Sequence, residues 1–167
     1  KDKPQTGYCG ETVLIDEKCI DSHLPKIIND LKSGGCEIRG DERCKKKFDK
    51  VVLASDDDWK TEYLDAIISI KIVSGVEDAI DHIEKYGSGH TESIISESRD
   101  NVEKFLNSVG SAIVMHNTST QFADGGEFGL GAEIGIATGK LHARGPVGLE
   151  GLTTYKYIVR GNGQIRP

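Results

Sequence analysis

The run AIISIKIV at residues 66–73 decides the fold of this chain. It is apolar apart from one serine and one lysine, and its isoleucines and valine are typical of a strand. An acidic turn, Asp56-Asp57-Asp58-Trp59, precedes it and holds the only tryptophan of the sequence. We therefore place residues 66–73 in a strand at the centre of a sheet.

Strand-like and helix-like segments alternate on both sides of this run. Four further strands are predicted at residues 12–15, 36–40, 93–96 and 111–115, and a weaker one at 51–54. Helices are predicted at residues 22–33, where apolar residues recur at helical spacing, at 75–86, opened by a Ser74-x-x-Glu77 capping box, and at 100–107. Such alternation with short links predicts an α/β domain, a mostly parallel sheet with flanking helices.

Residues 124–148, DGGEFGLGAEIGIATGKLHARGPVG, contain eight glycines beside charged side chains such as Glu127, Glu133 and His142. Glycine lets the backbone turn or approach a ligand closely, so the stretch suits a substrate-facing loop. A solvated surface loop fits its composition equally well. The pattern Gly129-x-Gly131 lacks the third glycine of a dinucleotide fingerprint, which argues against a phosphate-cradling loop.

The chain end predicts a β-hairpin. Residues 153–160 alternate as TTYKYIVR, Gly161-Asn162-Gly163 makes a turn, and residues 164–166 pair back. Isolated hairpins are marginal in water, so this one is expected to dock on its own sheet or on a neighbouring subunit. We divide the chain into an α/β domain at residues 1–150, with the glycine-rich loop at 124–148, and an oligomerisation hairpin at 151–167.

Composition narrows the classes of function. With 167 residues, 37% of them hydrophobic, the chain suits one domain. A net charge of −6 without a basic stripe argues against nucleic acid as a partner. The absence of a long apolar run or a leader argues against a membrane partner and favours the cytoplasm. Four irregularly spaced cysteines favour reduced thiols over disulfides or a metal site.

Five segments together resemble the gamma-glutamyl phosphate reductase family, also called glutamate-5-semialdehyde dehydrogenases, of the aldehyde dehydrogenase superfamily. They are Glu62-Tyr63-Leu64-Asp65, Tyr86-Gly87-Ser88-Gly89-His90-Thr91-Glu92, Asp124-Gly125-Gly126-Glu127-Phe128-Gly129, His142-Ala143-Arg144-Gly145-Pro146 and Gly151-Leu152-Thr153-Thr154-Tyr155-Lys156-Tyr157. The resemblance runs in order through nearly the whole chain from Cys9. It implies a catalytic-domain-like fold of that superfamily and a role in proline biosynthesis.

The resemblance also implies the chemistry. A cysteine thiolate attacks the acyl phosphate of gamma-glutamyl phosphate, phosphate leaves, and NADPH reduces the thioester to the semialdehyde. Cys9, just before Glu11-Thr12, is the residue that matches the family nucleophile; an inert surface thiol is the alternative. The loop between Cys9 and Glu11 is two residues shorter than is usual in the family.

The remaining site residues follow from the same resemblance. Glu62 matches the glutamate that holds the nicotinamide ribose, and Phe128 an aromatic wall of the site. His90, Asn117 and Arg144 match substrate-pocket residues, with Arg144 suited to a carboxylate. The alternatives are an exposed acid for Glu62, a core ring for Phe128 and an imidazole satisfied within its own loop for His90. Gln121 stands where the family commonly has arginine, which would weaken binding of an anionic substrate.

In this family the cofactor-binding half lies mainly before the cysteine, and only eight residues precede Cys9 here. We expect a cofactor domain on a longer precursor or on a separate polypeptide, and a homodimer formed through the hairpin. The alternative function is a catalytically inactive remnant that dimerises and binds a ligand or partner.

Overall fold

The computed structural model describes residues 11–167 and places the AIISIKIV strand inside a parallel sheet. The strands are β1 (Thr12–Asp16), β2 (Glu37–Gly40), β3 (Val52–Leu53), β4 (Ile67–Val73), β5 (Thr91–Ile94), β6 (Ile113–His116), β7 (Gly135–Ala137) and β8 (Gly145–Val147). The first four form one sheet in the order β1-β4-β2-β3, and all its pairs are parallel. The predicted central position of residues 66–73 is confirmed.

Helices alternate with these strands, as the apolar spacing predicted. They are α1 (Leu24–Ser33), α2 (Glu42–Lys47), α3 (Val76–Tyr86), α4 (Arg99–Ser108) and α5 (Leu149–Leu152), with 3₁₀ helices at Glu17–Cys19, Asp56–Lys60 and Thr120–Phe122. Strands β5 and β6 pair in parallel as a second, two-stranded sheet, against which α4 packs. The fold is α/β with a mostly parallel sheet and flanking helices, as predicted.

The two faces of the four-stranded sheet differ in character. On one face, alternate residues of β4 (Ile68, Ile70 and Ile72) pack with Leu24 and Ile28 of α1 into the main core. Ser69 and Lys71 of β4 point to the opposite face, because side chains alternate along a strand. That second face is polar, and the segment before β4 and helix α3 cover it.

Helix α3 begins differently from the predicted capping box. Gly75, with a φ of 133°, is the N-cap and offers no side chain. The Ser74 N–H and hydroxyl instead donate to Oδ2 of Asp78, at 2.9 and 3.2 Å. The predicted partner Glu77 forms an ion pair with Lys104 of α4, so the acid one position further along does the capping.

An antiparallel hairpin is present, but at other residues than predicted. β7 and β8 pair within the glycine-rich stretch. Residues 153–167 contain no strand in the described chain, and their apolar side chains are exposed. A strand pair needs a surface to pack on, and Tyr155, Tyr157 and Val159 have none here. Docking of this segment on a second subunit stays a prediction.

Candidate active site

Several predicted site residues lie near the amino ends of β1, β4 and β5. The charge of Glu62, in the turn before β4, raises the pKa of Glu11, which lies just before β1. Glu11 in turn raises the pKa of Glu92 in β5. His90 lies two residues before Glu92. The predicted nucleophile Cys9 lies outside the described residues, two positions before Glu11.

Two carboxyl groups at this end of the sheets, those of Glu92 and Glu11, have raised pKa values. Burial is the main cause that raises the pKa of Glu92, to about 7, with the nearby charge of Glu11 adding to it. A hydrogen bond from the Ser111 hydroxyl, at 3.3 Å, acts in the opposite direction. Burial is likewise the first cause for Glu11, followed by the charge of Glu62. Glu92 therefore exchanges a proton near neutral pH.

The turn that carries Glu62 is braced by its own hydrogen bonds. The Thr61 hydroxyl donates to the carbonyl of Asp57 at 2.7 Å, and the Ala66 N–H donates to Oδ1 of Asp65 at 2.7 Å. Leu64 lies between them with a φ of 50°, which a residue with a side chain seldom adopts. The Glu62 side chain is exposed and accepts no hydrogen bond from residues 11–167. This exposure agrees with the alternative of an exposed acid, and it also leaves the carboxylate accessible to a ligand.

His90 and Arg144 both contact the segment that leads into β6. The Arg144 guanidinium donates to the carbonyl oxygens of Gly110 and Thr138. The Ile113 N–H donates to the carbonyl of His90 at 3.0 Å. Nδ1 of His90 lies 2.7 Å from the Thr91 hydroxyl, so this imidazole is satisfied within its own loop.

Lys140 is a second cation at this end that the sequence reasoning missed. Its Nζ lies 3.7 Å from the position of a Cβ built on Gly110, the residue whose carbonyl Arg144 contacts. Lys140 lies two positions before His142 in the KLHARGP segment. Its closeness in sequence to Arg144 is the signal from which it could have been predicted. Two cations beside one loop suit an anionic ligand.

Asn117 lies at the other end of β6, away from His90 and Arg144. Its N–H donates to the carbonyl of Ile94 at 2.8 Å, and Oδ1 accepts from the Ser96 N–H at 2.9 Å. The four residues of β5 separate it from His90 by about 13 Å, at ~3.3 Å per residue. His90 and Arg144 are thus both linked to the segment before β6, whereas Asn117 lies at the opposite end of the strands and braces the loop after β5.

The glycine-rich stretch is held by hydrogen bonds between backbone N–H groups and carboxylate side chains rather than by a hydrophobic core. Oδ1 of Asp124 accepts from the N–H of Gly126 at 2.7 Å, and Oε2 of Glu133 accepts from the N–H of Gly125 at 2.8 Å. Phe128 is 45% exposed, so the alternative of a core phenylalanine is wrong for this chain. Gln121, which stands in place of the family arginine, is exposed.

Three features of the described chain bear on other classes of site. Within residues 11–167 no three histidine, cysteine or acidic side chains are grouped so as to hold a metal ion. None of the helices in that range is long and apolar enough to cross a membrane. Burial raises the pKa of the Cys44 thiol to about 11, which leaves this core cysteine unreactive at neutral pH.

Solved structures first define the class of fold. The chain superposes on an acetylating aldehyde dehydrogenase from Geobacillus thermoglucosidasius with a TM-score of 0.51 at 17% identity, covering 77% of this chain and 37% of that one. It superposes on gamma-glutamyl phosphate reductase from Thermotoga maritima with a TM-score of 0.92 at 49% identity, covering 99% of this chain and 40% of that one. The fold is therefore aldehyde dehydrogenase-like.

Sequence relatives then define the family. The chain is 59% identical over 165 residues to a gamma-glutamyl phosphate reductase of Parvibaculum lavamentivorans. The matched residues make up 98% of this chain and 39% of the relative. The chain is 57% identical over 164 residues to that of Brucella suis biovar 1, covering 97% of this chain and 39% of the relative. No protein-family model matches. The chain belongs to the gamma-glutamyl phosphate reductase family and spans about two fifths of the length of these relatives.

Proposed function

We propose that this chain supplies the cysteine-bearing, substrate-binding part of a cytoplasmic reductase that converts gamma-glutamyl phosphate to glutamate-5-semialdehyde and phosphate in proline biosynthesis. The observation that carries the proposal is the 59% identity to a gamma-glutamyl phosphate reductase along 98% of this chain. Identity at that level along nearly the whole chain supports a shared substrate.

Cys9 is the proposed nucleophile. Its thiolate sulfur attacks the acyl carbon of gamma-glutamyl phosphate, the bond from that carbon to the phosphate oxygen breaks, and phosphate leaves with the electron pair. The product of this step is a thioester on Cys9. Because phosphate is a good leaving group, the step needs no base to activate water.

The cations beside Gly110 are proposed to bind the anionic substrate. Arg144 suits the α-carboxylate as a bidentate donor, and Lys140 adds a second positive charge at the same loop. His90 is proposed to line the same pocket, because residue 89 is hydrogen-bonded to residue 112 next to that loop. Asn117 is proposed to contact the substrate from the other end of the strands, with its side chain amide first released from Ser96.

Glu62 and Phe128 fit the nicotinamide end of a dinucleotide cofactor, proposed to be NADPH. The exposed Glu62 carboxylate can accept hydrogen bonds from both hydroxyls of a ribose, and the exposed Phe128 ring offers an apolar wall. When bound, the nicotinamide supplies the hydride that reduces the thioester. The Gly129-x-Gly131 pattern does not suit a pyrophosphate. We therefore propose that a cofactor domain, on a longer precursor or a separate polypeptide, holds that part.

The alternative is a catalytically inactive module that dimerises and binds a ligand or partner. The exposed segment at residues 153–167 favours dimerisation under either function. Tyr155, Tyr157 and Val159 are 80%, 85% and 90% exposed. Pairing of this segment with a second copy would cover them, and a homodimer is the assembly we propose.

Oxidation of NADPH by the 167-residue chain, with gamma-glutamyl phosphate generated enzymatically, tests the proposal. Oxidation that disappears in Cys9→Ala supports a working reductase. A folded chain that oxidises no NADPH and whose Cys9 is not acylated by the substrate supports the inactive module instead. A folded chain that is acylated at Cys9 without oxidising NADPH supports a catalytic part that needs its cofactor domain.

A further inference from the structure

The Tyr63 hydroxyl lies at the centre of a closed polar network beneath the turn that carries Glu62. It donates to Oδ1 of Asp58 at 2.8 Å and lies 2.8 Å from the Ser69 hydroxyl. Because the single phenol proton goes to Asp58, the Ser69 hydroxyl donates to Tyr63. Ser69 is in β4, at the centre of the sheet. The phenol therefore ties the turn directly to a strand inside the four-stranded sheet.

Arg39 of β2 fixes the same tyrosine from a second direction. Its guanidinium carbon lies 5.0 Å from the centre of the Tyr63 ring, and Nη1 forms an ion pair with Asp58 at 2.6 Å. Asp58 also accepts from the N–H and the hydroxyl of Ser55, at 2.7 and 2.8 Å. Every polar group around the phenol has a partner, so the ring has one position.

The turn needs such a restraint because it is strained. Leu64, directly after Tyr63, has a φ of 50° and a side chain that is 63% exposed. A left-handed conformation is unfavourable for a residue with a side chain, and an exposed leucine gains little burial to offset that strain. The hydrogen bonds of Tyr63 and of the Asp65 turn hold the backbone in this conformation.

We propose that Tyr63 is a positioning residue, which holds the turn so that the Glu62 carboxylate stays beside Glu11 at the amino ends of β1 and β4. That the positioned carboxylate binds a ribose rests on the proposed function. The positioning itself does not, because it concerns two carboxyl groups and a phenol of this chain. A purely stabilising role for the network would leave the distance between the two carboxylates unchanged when the phenol hydroxyl is removed.

The test is a pH titration of the Glu11 carboxyl by ¹³C NMR in the 167-residue chain. Glu62→Gln should lower the pKa of Glu11, because the charge of Glu62 is one cause that raises it. Tyr63→Phe, which leaves every charge in place, should lower it in the same direction, because the freed turn lets Glu62 move away. Tyr157→Phe is the matched control, since Tyr157 is 85% exposed and outside the network.

The proposal would be overturned if the pKa of Glu11 were lowered in Glu62→Gln but unchanged in folded Tyr63→Phe. An unchanged titration in Glu62→Gln would overturn it too, because the two carboxylates would not be close. Ser69→Ala, which keeps the Tyr63–Asp58 bond, should give an intermediate result and replaces Tyr63→Phe if that variant does not fold.

Binding of reduced nicotinamide mononucleotide, which carries only the ribose end assigned to Glu62, separates this inference from the proposed function. We expect about tenfold weaker binding in Glu62→Gln and a smaller loss in Tyr63→Phe, with Tyr157→Phe unchanged. Binding that is absent from the wild type or insensitive to Glu62→Gln would contradict the cofactor role of Glu62. In that case a lowered Glu11 titration in Tyr63→Phe would still support positioning.

Discussion

The network around Asp58 and the glycine-rich stretch are two polar regions built on opposite plans. In the first, both oxygens of the buried Asp58 carboxylate are paired, and the partners are Arg39 of β2, Ser55 just before the 3₁₀ helix and Tyr63 in the turn before β4. In the second, Asp124 and Glu133 cap neighbouring N–H groups, while Phe128 and Ile134 are exposed. The first region is complete within the described chain, whereas the second presents an apolar surface that suits a ligand or another polypeptide.

Replacement of each aspartate by asparagine should give the largest contrast between the two regions. Burial alone would raise the pKa of Asp58, but hydrogen bonds from Arg39, Ser55 and Tyr63 outweigh it and hold that pKa well below its usual range. Asp58→Asn should therefore lower the free energy of unfolding by about 3 kcal/mol, because it leaves Arg39 without its buried partner. Asp124→Asn should cost less than about 1 kcal/mol, since an amide oxygen still accepts from Gly126. Urea unfolding measures both.

The pH dependence of that contrast has a definite sign. A carboxyl whose pKa is lowered in the folded state adds stability above its unfolded pKa, near 4. The difference between the wild type and Asp58→Asn should therefore be complete at pH 7 and shrink as the pH falls below about 4. Equal costs for Asp58→Asn and Asp124→Asn at pH 7 would contradict the division into a closed and an open region.

Glycine replacements test the same division through packing. A Cβ on Gly40 would lie 2.7 Å from Cγ1 of Val51 and 2.8 Å from Cβ of Cys44, both in the core. Gly40→Ala should therefore destabilise the chain by about 2 kcal/mol. Gly139→Ala, in the glycine-rich stretch, meets no atom within 4 Å and should be near neutral. Thermal unfolding of the two variants measures the difference, and a neutral Gly40→Ala would show that this part of the core is loosely packed.

Glu92, in β5, should respond to pH in the opposite sense to Asp58. Its folded pKa is raised to about 7, chiefly by burial. A carboxyl with a raised folded pKa contributes stability below its unfolded pKa, near 4, and loses it as the pH rises to about 7. The effect of Glu92→Gln on the free energy of unfolding should therefore be ~1–2 kcal/mol more favourable at pH 8 than at pH 4. Denaturant unfolding at both pH values checks this, and a pH-independent effect would contradict it.

Leu64 offers the smallest test. Leu64→Gly relieves the left-handed strain but adds freedom to the unfolded chain, so we expect a net gain of about 0.5 kcal/mol. Leu141 is 92% exposed without a positive φ, and Leu141→Gly should cost about that much. Differential scanning calorimetry resolves the sign. Destabilisation by both variants to the same extent would mean that the turn before β4 is not strained.

The sequence predicted the regular elements well because each is local in cause. The apolar run at residues 66–73 and the helical spacing of Leu24, Ile28 and Leu31 required no knowledge of the rest of the chain. The strands before and after α4 were placed two residues off, since their serines and threonine give no clear boundary. The strand pair predicted beyond residue 152 is absent from the described chain, where the apolar side chains of that segment have no surface to pack on.

The site was only partly predictable from the sequence. Resemblance supplied Glu62, His90 and Arg144, and the structure places them near the amino ends of neighbouring strands. It could not reveal that Tyr63 joins Asp58 and Ser69, because these residues are five to eleven positions apart and meet only after β4 enters the sheet. The raised pKa of Glu92 likewise depends on burial that no local pattern encodes.

Acylation of Cys9 tests the central claim, that this chain carries the substrate chemistry of its family, without requiring a cofactor. The 167-residue chain is mixed with freshly generated gamma-glutamyl phosphate, and released phosphate and the mass of the intact protein are followed. We predict one phosphate released per acylated chain, with the added glutamyl group on Cys9, lost in Cys9→Ala and retained in Cys19→Ala. Phosphate release no faster than in buffer, from a folded chain with an unmodified Cys9, would contradict the claim.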